Sequence, residues 1–156
     1  MGAMELILWR HCDAEAGVPD ELRALTPRGR AEAARMAEWL RGRLPPGCRV
    51  LVSPAVRARQ TVEALGLPFE TLSDVAPGAS VGDVLRVAGW PDAAATTLVV
   101  AHEPTLGRVA AHLLDEAGER PLAKGGVMWL ASRPLDAGGP EGTIVAETSP
   151  QSLARS

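Results

Sequence analysis

Three short apolar runs in this chain each end abruptly in groups suited to an anion. The run Glu5-Leu6-Ile7-Leu8-Trp9 stops at Arg10-His11. Arg49 to Val52 stops at Ser53-Pro54-Ala55-Val56-Arg57, and Thr96 to Ala101 stops at His102-Glu103-Pro104. A guanidinium stays ionised and grips two oxygens at once, so a pair of them suits a tetrahedral dianion and the charge spread over its oxygens during phosphoryl transfer. An imidazole can hold one nitrogen unprotonated near neutral pH and act as a nucleophile, or donate a hydrogen bond to an oxyanion. Taken singly, each signal has a plainer explanation: a hydrogen-bonded histidine at a strand end, a surface arginine, a Ser-Pro helix start. Their repetition at three strand ends carries the inference.

The elements that must position these groups follow from pattern and punctuation. The three apolar runs read as buried strands. Thr26-Pro27 pairs a capping hydroxyl with a proline suited to the first helical position, and predicts a helix to about Leu44. Ala33, Met36, Ala37 and Leu40 form its apolar face, while Arg28, Arg30, Glu32, Arg35 and Glu38 face solvent. Ser53-Pro54 repeats the signal, with Ser53 as cap of a helix to about Leu65. Arg57 then lies near that helix N-terminus, where free amides and the dipole favour anions, and Thr61 shares its face. Phe69 to Leu72 reads as a brief strand and 75–78 as a turn. Val81 to Ala88 and about 105–117 read as helices, and Val127 to Ala131 and Thr143 to Glu147 as strands joined by a turn-rich stretch. The last eight or so residues read as loose. Strands alternating with helices predict a three-layer α/β/α fold with a mainly parallel central sheet, whose ligands bind beyond the carboxyl ends of the strands.

Composition bounds the function. The 156 residues predict one domain over 1–156 with a core over about 4–148. Apolar residues make up 46% of the chain, enough for a packed core, and the net charge of −3 predicts neither nucleic acid nor anionic membrane as partner. With no tyrosine and one phenylalanine there is no aromatic platform for bases. Cys12 and Cys48 lack metal or disulfide spacing and read as free thiols of a reducing compartment. With no leader or membrane-length apolar run in view, the expected location is cytoplasmic. The spacing of the three histidines predicts no metal site, and no cofactor is expected.

The chain resembles the histidine phosphatase superfamily, the phosphoglycerate-mutase-like proteins, and within it the compact bacterial phosphohistidine-phosphatase type without large insertions. The matching segments are Leu8-Trp9-Arg10-His11, then Arg23-Ala24-Leu25-Thr26-Pro27-Arg28-Gly29, then Val50 through Thr61, then Val99-Val100-Ala101-His102-Glu103-Pro104. The Ser-Pro-x-x-Arg-Ala-x-x-Thr block is the most specific. The resemblance implies that His11 is the nucleophile and becomes phosphorylated, that Arg10, Arg57 and His102 hold the transferring phosphoryl group, and that Arg23 also lines the pocket. It implies no metal. The expected substrate is a phosphorylated protein carrying phosphohistidine. A small phosphorylated metabolite handled by a phosphomonoesterase or mutase, and a non-catalytic phosphate-binding module, are the alternatives. The sequence does not specify an oligomeric state.

Two departures stand out. Cys12 occupies the position after the nucleophile where the family has glycine, and reads as a passive small residue or an oxidation-sensitive thiol. Mutase-type members use a carboxylate to protonate an alcohol leaving group. Asp74, just before the 75–78 turn, and Glu103, next to His102, are the candidates for that general acid. A weak or absent acid suits an imidazole leaving group better than an alkoxide.

Overall fold

The computed structural model describes residues 2–155. Its centre is a six-stranded sheet of β1 (Glu5–Arg10), β2 (Arg49–Val52), β3 (Glu70–Thr71), β4 (Thr97–Ala101), β5 (Val127–Ser132) and β6 (Gly142–Thr148), in the order β3-β2-β4-β1-β5-β6. The first four pair in parallel. β5 and β6 add an antiparallel ribbon at one side, so the expected sheet is parallel except for that edge.

Alternation along the strands divides the core into two layers. Leu6 and Leu8 of β1, with Leu51, Val99 and Met128, pack against α3 (Val81–Ala88) and α4 (Thr105–Leu113) through Val84, Ala88, Leu106, Val109 and Leu113. Ile7 and Trp9, with Val50, Val52, Leu98 and Val100, pack against α1 (Pro27–Arg41) and α2 (Val56–Glu63) through Met36, Leu40, Ala58 and Val62. Because both faces are covered, the central strands are apolar at successive positions, which is why they read as continuous hydrophobic runs. This is the expected α/β architecture, with helices on both faces of the sheet.

Local signals set most boundaries. Thr26 accepts from Gly29 N at 2.9 Å and caps α1. α3 carries a full capping box from Ser80 and Asp83 and ends at Gly89 in the left-handed region. Helix ends fell short of the expected ones: α1 stops at Arg41, and α4 at Leu113 just before Asp115 turns to φ +58°. Three expectations need correction. Glu32, placed on the solvated face of α1, is buried, because its carboxylate accepts Asp13 N at 3.2 Å and pairs with Arg28. Ser53 does not cap α2; Ala55 holds that position, and helix begins at Val56. Finally, the tail is not loose over 150–154. Pro150–Ala154 is a short helix, α5, capped by Ser149, with Pro150 buried and Leu153 packed against the layer of α1 and α2.

No described helix is long and apolar enough to cross a membrane.

Candidate phosphoryl-transfer site

Sheet register brings the three strand ends together. β4 lies between β1 and β2, pairing Arg10 with Ala101 and Val52 with Val100. The ladder extends one residue further on each side: His11 N donates to Ala101 O at 3.1 Å and Ser53 N to Val100 O at 3.0 Å. His11, His102 and Ser53 thus leave the sheet side by side at its carboxyl edge. The rings of His11 and His102 are 5.2 Å apart, centroid to centroid. Arg57 follows on the first turn of α2, and Arg10 on the last residue of β1.

The loop after His11 is tightly held. Cys12 N donates to Thr61 Oγ1 at 3.1 Å, and Thr61 in turn donates to Arg57 O, joining the loop after His11 to α2. Gly29 at the start of α1 lies against Asp13; a Cβ there would sit 2.0 Å from Asp13 O, so only glycine lets helix and loop approach this closely. On the other side His11 O accepts Gly125 N, and Arg10 N donates to Gly126 O, both at 3.0 Å. Gly125 has φ +73°, and a Cβ on it would meet the Cys12 sulfur at 3.0 Å. Cys12 fills that space and packs with Leu25 and Ala33. Burial pushes its thiol up to about 12, so it is a neutral, inert group, and its backbone is not in the left-handed region that would require glycine. Of the two readings for Cys12, the structure supports the passive one.

Charge and proton placement follow from burial. His11 Nδ1 lies 2.8 Å from Cys12 O. A carbonyl can only accept, so Nδ1 carries the proton of the neutral ring and Nε2 keeps its lone pair. The His11 pKa is lowered to about 4, chiefly by burial; the Cys12 hydrogen bond opposes the shift, and Arg57, Arg10 and Arg23 add to it. His102 falls to about 3 for the same leading reason, with His11, Arg57 and Arg10 adding to it and Asp20 opposing. Both rings are therefore neutral at pH 7. His102 Nε2 is 2.7 Å from Ser53 Oγ, which already accepts Ala55 N at 3.1 Å. A Ser53 hydroxyl that donates to Nε2 leaves the His102 ring proton on Nδ1, the tautomer in which that nitrogen is a donor.

Among the described residues, the buried side-chain nitrogens and oxygens without a hydrogen-bond partner are Arg10 Nε, Arg57 Nε and His102 Nδ1. Buried polar groups are normally satisfied. Here the orphans coincide with three of the residues singled out from the sequence, and all three act electrostatically on His11 or on each other. Each guanidinium is anchored from its far end: Arg10 Nη1 donates to Leu122 O at 2.9 Å, and Arg57 Nη1 and Nη2 donate to Asp20 O and Oδ2 at 2.9 and 3.0 Å. Arg23 is half-exposed at the rim, where its Nε donates to Glu15 O and its Nη1 to Asp20 Oδ1.

The two candidate acids are engaged elsewhere. Both Glu103 oxygens accept backbone amides, Oε1 from Gly107 at 3.0 Å and Oε2 from Leu122 at 2.9 Å. Glu103 thereby ties the start of α4 to the segment whose Leu122 carbonyl anchors Arg10. The Asp74 carboxylate takes Arg86 Nη2 at 2.8 Å on the outside of α3. Sequence reasoning missed Asp20, Ser53 as the His102 partner, and the 122–126 segment. Asp20 lies in a stretch with no periodicity, and the others act across long sequence separations. No group of three or more His, Cys, Asp or Glu side chains among the described residues is arranged to hold a metal ion.

Comparison with known proteins gives a concordant picture. The model of the histidine phosphatase superfamily (branch 1) matches residues 6–77. The Escherichia coli phosphohistidine phosphatase SixA is 38% identical over 130 residues, which cover 76% of this chain and 78% of that one. An uncharacterized Mycobacterium tuberculosis protein is 40% identical over 107 residues; the match spans 65% of this chain and 66% of the relative, just under two thirds of its length. A solved structure of the protein histidine phosphatase SixA complexed with tungstate superposes with a TM-score of 0.76 at 32% identity, covering 96% of this chain and 99% of that one.

Proposed function

The chain belongs to the histidine phosphatase superfamily, and from that premise we propose that it is a metal-independent phosphatase that removes phosphoryl groups from protein phosphohistidine through an intermediate on His11. The observation that carries this reading is the set of buried unpartnered nitrogens, Arg10 Nε, Arg57 Nε and His102 Nδ1, gathered beside an imidazole whose Nε2 is free. A phosphoryl group has three equatorial oxygens to satisfy them. A relative of similar fold binds tungstate, an oxyanion of the same tetrahedral shape.

In the first step the His11 Nε2 lone pair attacks phosphorus, and the bond from phosphorus to the substrate nitrogen breaks with its electron pair on the departing imidazole. The Cys12 carbonyl stabilises the positive charge that develops on the His11 ring through Nδ1–H. Arg10, Arg57 and the Nδ1–H of His102 hold the equatorial oxygens. Because this environment is desolvated, fixed donors there stabilise the transition state more than they would in water. Water then attacks the phosphorylated His11, the bond to Nε2 breaks, and orthophosphate and free His11 are regenerated. A phosphohistidine whose ring is protonated releases neutral imidazole and needs no enzymic acid. That fits a site whose two candidate acids, Glu103 and Asp74, are committed to backbone amides and to Arg86. Arg23 at the rim contributes charge to the entrance.

The test is a labelled phosphohistidine protein as donor. The wild type forms an acid-labile phosphoenzyme and releases orthophosphate, while His11→Ala does neither. Side-by-side rates on phosphohistidine protein and on an alkyl phosphate such as glycerol phosphate decide the substrate class. Turnover surviving in His11→Ala removes the covalent mechanism, and faster hydrolysis of the alkyl phosphate makes the protein a phosphomonoesterase instead.

A further inference from the structure

Asp20 sits in the 3-10 turn Asp20–Leu22 of the long loop between β1 and α1, and its side chain is 53% exposed. Its contacts are nevertheless those of a site component. The main-chain oxygen accepts Arg57 Nη1 at 2.9 Å and the turn-closing Arg23 N at 3.1 Å, Oδ2 accepts Arg57 Nη2 at 3.0 Å, and Oδ1 accepts Arg23 Nη1 at 3.0 Å. One residue thus bridges two guanidiniums that come from different segments, the loop and α2. Arg57 is engaged end-on, through both terminal nitrogens, while its Nε–H remains unpartnered in the buried interior. An arginine presents two forks, and Asp20 occupies the outer one.

Two roles are compatible with a carboxylate on a phosphate-binding arginine, and they predict opposite effects. A competing anion would cover the edge that the phosphoryl group needs and would have to leave. A positioning group would hold the arginine from behind. The geometry separates them. Half of the grip on Arg57 comes from the Asp20 main-chain oxygen, which cannot be displaced without unmaking the turn, and the buried Nε–H is left open. The loop is itself anchored, with Leu25 N donating to Gln60 Oε1 at 2.7 Å and Glu15 N to Ala24 O at 2.8 Å. Long side chains lose much rotamer freedom when they are fixed, so a guanidinium ordered beforehand binds an oxyanion at a smaller entropic cost. A carboxylate between Arg23 and Arg57 also offsets their mutual repulsion.

We propose that Asp20 is a positioning residue for phosphoryl binding, clamping Arg57 and Arg23 into one orientation so that the inner edge of Arg57 is presented to the phosphoryl oxygens. The inference rests on the reading of this site as a phosphoryl cage. Its test is the affinity for inorganic phosphate by calorimetry, with KM and kcat on phosphohistidine protein, in the wild type, Asp20→Asn, Asp20→Ser and Asp20→Glu. Asp20→Asn and Asp20→Ser are expected to keep the melting temperature within about 3 °C, weaken phosphate about tenfold, and raise KM more than they lower kcat. Asp20→Glu, which keeps the charge, recovers much of the loss. Phosphate affinity in Asp20→Asn or Asp20→Ser within about twofold of wild type, or tighter than wild type, overturns the proposal. A weakening that tracks lost thermal stability in all three variants overturns it as well. A wild type that fails to bind phosphate at all removes the underlying reading of the site, an outcome distinct from a wild type that binds and variants that bind equally well.

Discussion

Acidification tests the neutral, buried state of the two site histidines most directly. An unfolded histidine has a pKa near 6.5, whereas His11 is held at about 4 and His102 at about 3 in the folded protein. A depressed histidine pKa means that the unfolded chain takes up protons first as pH falls. The associated stability is therefore complete above pH 6.5 and is lost progressively below it, down through the folded values. At pH 5 each unfolded ring is almost fully protonated and each folded ring almost fully neutral. Linkage then puts the loss at about 2 kcal/mol per ring relative to pH 8, or about 4 kcal/mol for the pair. Against a typical domain stability of about 5–15 kcal/mol this is a large fraction. The carboxylates with lowered pKa, among them Asp13, Asp20 and Asp83, lose their contributions below about pH 4 and so fall outside the window. Urea unfolding at half-unit intervals from pH 8 to 5 provides the assay, with His102→Asn as control; that variant removes about half of the slope. A stability that changes by less than about 1 kcal/mol between pH 8 and 5 would refute the claim that both rings are buried and uncharged.

Two further outcomes are expected. Glu103→Gln loses one acceptor for two buried amides and is destabilised by about 1–3 kcal/mol in denaturant unfolding, yet its kcat on phosphohistidine protein stays within about fivefold of wild type. A fall of about a hundredfold or more would make Glu103 the acid after all. Cys12→Gly restores the family residue, frees a Cβ and sulfur from the space beneath Gly125, and costs about 1–2 kcal/mol through the cavity and chain entropy; phosphohistidine hydrolysis is retained, and loss of activity would show that the thiol does more than fill space.

The four candidate residues Arg10, His11, Arg57 and His102 could be singled out without coordinates because each is adjacent to a local signal: the end of an apolar run or the Ser-Pro pair ahead of α2. Chain-local physics also specified the alternation of strands and helices, the Thr26 cap of α1, and the span of α3. What needed the tertiary structure is what depends on partners far along the chain. Sheet order is one such property: β4 inserts between β1 and β2, and this places His11, Ser53 and His102 side by side. Nothing in a strand's own residues chooses its neighbour, and for the same reason the antiparallel placement of β5 and β6 was not apparent. Glu103 and Asp20 share this origin. Glu103 read as a candidate general acid and Asp20 was not singled out, yet the contacts of each come from a backbone or guanidinium brought to it by packing, Leu122 and Gly107 for one, Arg57 for the other. The short helix α5 likewise exists where Pro150 and Leu153 find the layer of α1 and α2. The candidate chemistry was therefore legible in residue types at strand ends, whereas proton placement, side-chain orientation and the supporting contacts were decided by burial and long-range hydrogen bonding, which no local window contains.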